Sequence, residues 1–296
     1  MTEAAFLAAL RALPLHPGAR ALRDDVAVVA GLVVTTDTLV EGVHFLADDP
    51  PADVAWKLLA VNLSDLAAKG AVPEGVLLNY PLSTAGWDAT FVEGFGVALA
   101  AFGCSLIGGD TVSLPPGVPR VLTVTALGRD AVAPARSGAR AGDGLWVTGT
   151  IGDAGAGLRI ARGESGPDPL LAAYHRPRPR LAEGRALAPV VAAMCDVSDG
   201  LLIDAGRMAA ASGLAVTVEL DTVPLSPALR AFDPDPLAAA TAGDDYELLF
   251  ALAEGLTPPV AATRVGGFSV GAGLTLNDSG RPVPLPARLG WEHGAS

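Results

Sequence analysis

Apolar residues recur at helical spacing over residues 3–13, 53–69, 87–102, 180–192 and 200–211, which predicts five helices. Between them lie short runs rich in apolar and β-branched residues: 26–36, 76–80, 105–107, 121–126, 144–148, 193–196, 214–220 and 246–251. These read as strands. Strands alternating with helices argue for α/β and α+β construction rather than a sandwich or a bundle. The pattern breaks over residues 129–142, where alanine, proline, glycine and arginine interrupt the periodicity. That break predicts two domains, residues 1–135 and 136–296. After the strand at 144–148 comes a glycine-rich turn, residues 149–157, that leads into a helix. Glycines there let a backbone approach a phosphate, but any tight strand-to-helix turn uses them, and the spacing is not GxGxxG. Residues 273–296 read as a closing strand followed by a loop.

Composition narrows the class. The 296 residues are 50% hydrophobic and 18% charged, enough to bury a sizeable core. The longest apolar run, residues 26–34, is far short of the ~20 residues that cross a bilayer. The amino-terminal stretch carries Glu3 and Arg11 within its helical pattern and no basic n-region, so it reads as a mature helix and the protein as cytoplasmic. Lys and Arg total 20 against 32 Asp and Glu, a net charge of −12, and no stretch supplies the basic face that nucleic acid requires. The only lysines, Lys57 and Lys69, do not follow a glycine, which excludes the P-loop. Two cysteines, Cys104 and Cys195, form no disulfide framework or zinc spacing, and four scattered histidines form no HxxxH pair.

The chemistry lies in the aspartates. Asp24 and Asp25 open the first predicted strand, and Thr35-Thr36-Asp37 closes it. Asp65 falls inside a helical segment, Asp110 follows two glycines, Asp196 and Asp199 precede Gly200, and Asp244-Asp245 precede a strand. Each alone has a plain explanation as a turn or helix-cap residue. Together, converging carboxylates repel unless a cation neutralises them. Carboxylate and hydroxyl oxygens without His or Cys suit a hard ion, Mg²⁺ before zinc. Bound Mg²⁺ would invert the local field and let an acidic protein handle phosphate.

Five blocks stand in order: TTDTLVEGVHF at 35–45, KLLAVNLSDLAA at 57–68, GGDT at 108–111, DVSDGL at 196–201 and GDDYELL at 243–249. Together they closely resemble the thiamine-monophosphate kinase family of the aminoimidazole ribonucleotide synthetase superfamily, over nearly the whole chain. The resemblance implies an N-terminal α/β domain whose sheet pairs across a homodimer, an α+β domain behind it, and an active site between the two. It implies transfer of the ATP γ-phosphoryl group to thiamine monophosphate with several Mg²⁺ ions. Asp25, Thr35, Thr36, Asp37, Asp65, Asp110, Asp196 and Asp199 match the family's metal set, and Asp37, Asp65, Asp110 and Asp199 are the expected catalytic group. Gly109, Asp110, Arg136 and Ser198 match its ATP contacts, and His44, Asp244 and Trp291 its substrate contacts.

The sequence also departs from the family's pattern. Arg23 stands where a glycine is usual in the first metal loop, Asp244 where glutamate is usual, and GWEHG at 290–294 only approximates the closing motif. From the residues alone, His44 reads better as a core histidine, and only the surrounding motif moves it towards substrate; Arg136 also reads as a linker residue and Trp291 as a surface anchor. Within the superfamily, selenide, water dikinase would carry a reactive Cys or selenocysteine near its start, and the first cysteine here is Cys104. A carbamoyl dehydratase would end in cysteine, and this chain ends GAS. The ring-closing ligase that names the superfamily would not carry VEGVHF at 40–45. From another class, a cation-braced binding protein would show Mg²⁺-dependent stability without ATP turnover.

Overall fold

The computed structural model describes residues 2–115, 117–129 and 132–292. The chain runs α1 (Glu3–Leu10), a 3₁₀ turn (Pro17–Leu22), β1 (Ala27–Val29), β2 (Leu32–Val40), α2 (Pro51–Ala67), β3 (Val72–Leu82), α3 (Ala85–Phe102), β4 (Leu106–Ser113) and β5 (Val121–Arg129). It continues through β6 (Gly144–Thr148), α4 (Asp153–Ala161), α5 (Asp168–His175), α6 (Leu181–Leu187), β7 (Ala193–Asp196), α7 (Leu201–Ser212) and β8 (Ala215–Glu219). It closes with α8 (Pro227–Phe232), α9 (Pro236–Ala240), β9 (Leu248–Leu252), β10 (Ala262–Ser269), β11 (Gly273–Asp278) and β12 (Arg281–Val283). The strands form two sheets, β1-β2-β5-β3-β4 and β12-β11-β8-β10-β6-β9-β7.

Three expectations are corrected. The run at 26–36 is a hairpin rather than one strand. Ala30 and Gly31 both take positive φ (52° and 81°), the geometry of a two-residue hairpin turn, and Ala27 pairs back onto Val34. Strand β2 then continues to Val40 because it pairs with β5 over nine residues. Asp37 therefore sits inside a strand rather than at its end, as does Asp110 in β4. The expected strand at 246–251 begins only at Leu248, since Tyr246 has φ 53° and cannot enter a ladder. The expected helix at 180–192 stops at Leu187. Short helices α5, α8 and α9 escape periodicity, although each begins with a proline in its first turn.

Helix α2 organises the molecule. Leu58, Leu59, Leu63 and Leu66 are all fully buried, at about 1.5–3 kcal/mol each for leaving water. The helix packs on β2, β5 and β3, on α3, and on α6 and β7 of the second half. Enclosed on so many sides, it also buries Lys57, Asn62, Ser64 and Asp65, and such groups are tolerated inside only when paired. A cluster of Ala67, Ala68, Leu187, Ala188, Met194, Leu248 and Phe250 joins the two halves at its carboxyl end. This dry seam fixes the polar residues of α2 against the start of the second sheet.

Candidate active site

The polar seam begins on β2, whose side chains alternate. Thr35 points inward and is buried, whereas Thr36 is exposed on the opposite face. The Thr35 hydroxyl donates to Asp65 of α2. Ser64, one residue before, donates to Asp196 at 2.6 Å, across the junction to the end of β7. Asn62 accepts the Asp37 backbone N–H at 2.9 Å and donates its amide to Leu58 O. Carboxylate oxygens of Asp25, Asp65 and Asp196 lie within 4.8 Å of one another. Three sequence blocks far apart in the chain thus supply one site.

Two families of aspartate meet there. Asp65 and Asp196 accept hydroxyl hydrogen bonds and have no basic hydrogen-bond partner among the described residues. Burial, followed by the charges of Asp37, Asp196 and Asp25, holds the Asp65 carboxyl well above the carboxylate range. Burial and then Asp25 push Asp196 up to about 8. Asp37 rises to about 6, from burial and then from Asp25 and Asp199. Asp25 goes the other way. Burial would raise it, but the Arg136 and Lys69 charges outweigh that and hold it at about 2. Asp24 pairs with Arg20 at 2.7 Å and with Lys69 at 2.6 Å. Arg23 makes neither pair. The donor chemistry fits a divalent hard cation: three converging carboxylates, two of them without an ion pair among the described residues.

The last two blocks are brought together by main chain. Asp244 N donates to Ser198 O (2.7 Å), Tyr246 N to Val197 O (2.8 Å) and Val197 N to Glu247 O (2.8 Å). Asp244 (φ 64°) and Tyr246 (φ 53°) both hold left-handed backbone, a strain that the pairing maintains. Gly243 (φ 80°) precedes them, and a Cβ there would stand 2.9 Å from Ser198 O. Asp199 is bound by Arg207 and its N–H donates to Asp204 at 3.1 Å. Trp291 N donates to Asp199 O (2.9 Å), which seats the half-exposed indole beside this turn. The motif's remainder, from 293, lies outside the described residues.

His44 caps a turn, its Nδ1 accepting from Val40 N at 3.0 Å. Lys57 then links the halves. Its ammonium donates to Asp244 (2.7 Å) and to His44 O (3.1 Å), and lies 4.1 Å over the Tyr174 ring. Arg136 bonds Asp25, and its backbone N–H donates to Asp24 at 3.3 Å. A cavity of about 150 Å³ opens beside Asp244, Asp245 and Arg180.

Three expected residues stand apart. Thr36 directs its hydroxyl to Val124 O (3.1 Å) on the outer face of the sheet. Gly109 and Asp110 lie on exposed edge strand β4, with β5 and β3 between them and β2. Three strand spacings put Asp110 roughly 14 Å from the β2 cluster within one chain. A Cβ on Gly109 would meet Leu78 O at 1.8 Å, so the strand requires glycine here. Sequence reasoning missed Ser64, Lys69, Asp204 and Arg207, and used Lys57 only within a motif. The one signal was spacing: Lys57, Asp65 and Lys69 follow each other by eight and four residues in the predicted helix 53–69, although α2 ends at Ala67 and Lys69 falls in the turn after it.

The fold and this seam define a class, a two-domain protein whose joint carries an acidic site with the oxygen donors of a divalent-cation site. Family models described as AIR synthase related protein match here, the N-terminal domain over residues 23–129 and the C-terminal domain over 140–261. The thiamine-monophosphate kinase of Caulobacter vibrioides is 39% identical, covering 94% of this chain and 86% of its own. That of Salmonella typhimurium is 41% identical over 75% of this chain and 71% of its own. The chain belongs to the thiamine-monophosphate kinase family. The solved structure "AaThiL complexed with AMPPCP and TMP" overlays with a TM-score of 0.86 at 28% identity, covering 99% of this chain and 97% of that one. The Stenotrophomonas maltophilia thiamine-monophosphate kinase structure gives 0.77 at 37%, over 88% and 90%.

Proposed function

We propose that this chain transfers the γ-phosphoryl group of ATP to thiamine monophosphate, giving thiamine diphosphate and ADP. The observation that carries the reading is the convergence of Asp25, Asp65 and Asp196 at the joint of the two halves, in a member of this family. Phosphoryl transfer needs positioning and charge neutralisation more than covalent work. The acceptor is itself a phosphate with a second pKa of ~6, so it attacks as an anion and needs no general base. That suits a site without an Asp–His pair among its central residues.

Asp25, Thr35, Asp37, Asp65, Asp196 and Asp199 would hold Mg²⁺, and Thr36 is left out because its hydroxyl faces the other side. Bound Mg²⁺ supplies neutralisation of the two polyphosphates and polarisation of the transferred group. Ser198 and Arg136 are assigned to ATP. His44, Asp244 and Trp291 are assigned to the acceptor, whose thiazolium is a cation suited to a carboxylate and an aromatic face. Gly109 and Asp110 complete the ATP and metal set in a homodimer. All eight residues of β4 are exposed, including Leu106, Ile107 and Val112, and an uncapped apolar edge invites pairing. A second copy joined at this sheet returns Asp110 to an active site.

The end of β5 at Arg129 and the start of β6 at Gly144 support a domain boundary near residue 135. Consumption of ATP and two buried free cysteines support a cytoplasmic location. Among the described residues, no helix is long and apolar enough to cross a membrane.

The test is product chromatography after incubation with Mg-ATP and either thiamine monophosphate or thiamine, with Asp37→Asn as control. Thiamine diphosphate formed from the monophosphate and lost in the control supports the reading. A folded, Mg²⁺-binding protein that makes none overturns it.

A further inference from the structure

Lys69 is fully buried, which is rare for a lysine, and it ends in the acidic seam. Its ammonium has three oxygen neighbours: Asp24 Oδ1 at 2.6 Å, Asp25 Oδ2 at 3.0 Å and the Met194 carbonyl at 3.0 Å. An ammonium has three N–H donors, so all are satisfied and none is left for solvent or substrate. Two of those oxygens belong to the loop before β1, and the third to β7 of the second half. The partners are therefore arranged as oxygen ligands around a small cation, spanning the joint between the halves.

The same Asp25 belongs to the carboxylate trio with Asp65 and Asp196. Its other oxygen is held by Arg136, so both of its oxygens carry protein cations. Asp24 is likewise filled, by Arg20 and Lys69. Among the described residues neither Asp65 nor Asp196 forms an ion pair, and their partners are the hydroxyls of Thr35 and Ser64.

We infer that the Lys69 ammonium is a resident cation of the site, occupying the Asp24–Asp25 end where a further divalent ion would otherwise sit. The inference rests on the reading of the aspartates as Mg²⁺ ligands and deepens it. Mg²⁺ then sits toward Asp37, Asp65 and Asp196, and Asp25, which converges with Asp65 and Asp196, is oriented before any metal arrives. A fixed ammonium also differs from a metal in needing no free ion: it keeps the loop closed onto β7 at any Mg²⁺ concentration. Removing it frees Asp25 Oδ2 and adds one negative charge, which strengthens attraction for a divalent ion.

The experiment is calorimetric titration of the nucleotide-free protein with MgCl₂ at fixed ionic strength, alongside melting in EDTA and in Mg²⁺. The proteins compared are wild type, Lys69→Met and the double variant Lys69→Met/Asp24→Asn. The double variant leaves no surplus carboxylate at Asp24 and guards against failure of the single variant to fold. Lys69→Met is expected to bind one more Mg²⁺ per chain, or to bind at least tenfold more tightly. Its melting temperature should depend on Mg²⁺ more steeply than that of wild type. The double variant should retain at least a threefold gain, because Asp25 remains released. Mg²⁺ binding by wild type that both folded variants leave unchanged or weaken overturns the inference alone. Absence of Mg²⁺ binding in all three overturns the metal reading together with it.

Discussion

The two ends of the acidic seam are built on opposite principles. At one end, Asp24 and Asp25 are matched by Arg20, Lys69 and Arg136, and Asp25 is held at about 2. At the other, Asp65 and Asp196 accept hydroxyl hydrogen bonds, none of Asp37, Asp65 and Asp196 forms an ion pair among the described residues, and burial drives their protons on. The first end is complete as folded. The second is short of positive charge and is where an external cation gains most. A protein that handles phosphates with few basic side chains thus divides its acids between architecture and chemistry.

Substitution at the charge-poor end should produce the largest effect. Asp65→Asn is expected to lower kcat about 10³-fold, on the order of 4 kcal/mol of metal-linked stabilisation, measured by thiamine diphosphate formation. In EDTA the same variant should melt no lower than wild type, because it removes a buried carboxyl that is costly to ionise. A clear drop in its melting temperature would erase the distinction between the ends.

At the charge-matched end the expectation is reversed. Asp25→Asn leaves Arg136 and Lys69 with one buried partner fewer, at a cost of about 3–5 kcal/mol by denaturant unfolding. A loss of less than 1 kcal/mol would mean that those pairs are not structural.

Titration separates the ends without mutation. Asp37 (about 6) and Asp196 (about 8) keep protons in the folded state that the unfolded chain releases near 3.8. The folded form therefore binds more protons between those values, and stability falls as pH rises through the window. Asp25 is ionised throughout it and adds no slope; its contribution is lost only on acidification towards about 2. In EDTA the melting temperature should fall from pH 5 to pH 8, and saturating Mg²⁺ should flatten that slope, since metal and proton compete. A melting temperature that rises with pH in EDTA would contradict the charge deficit.

The smallest effect is expected at the rim. Trp291, about half exposed, should contribute roughly 0.5–2 kcal/mol to holding the thiazolium. Trp291→Ala is expected to raise KM for thiamine monophosphate between about twofold and thirtyfold with kcat little changed. An unchanged KM would make the indole a surface anchor.

Much of this was legible in the sequence. The period of α2 gave that helix, the apolar run at 26–36 gave strand without its hairpin turn, and the order of the five blocks gave the family. The aspartate types and their lack of His or Cys partners pointed to a hard cation. Hidden from pattern was anything set by φ alone, such as the Ala30–Gly31 turn and the left-handed Asp244 and Tyr246 that delay β9.

By itself the sequence determined the alternating α/β class, the acidic phosphate chemistry and the residue types of the site, because these depend on local periodicity and on side-chain identity. Only the tertiary structure decided which acids are neutralised. Lys69 lies 44 and 45 residues from the two carboxylates it pairs, and Ser64 lies 132 from Asp196. Such partners are chosen by how α2 docks between the sheets, and no local pattern encodes that. The same docking sends Thr35 inward and Thr36 outward, and leaves Asp110 on an open edge three strands away. Whether a buried charge is stable depends on what the fold places within a few ångströms of it, since its low-dielectric surroundings leave no water to compensate.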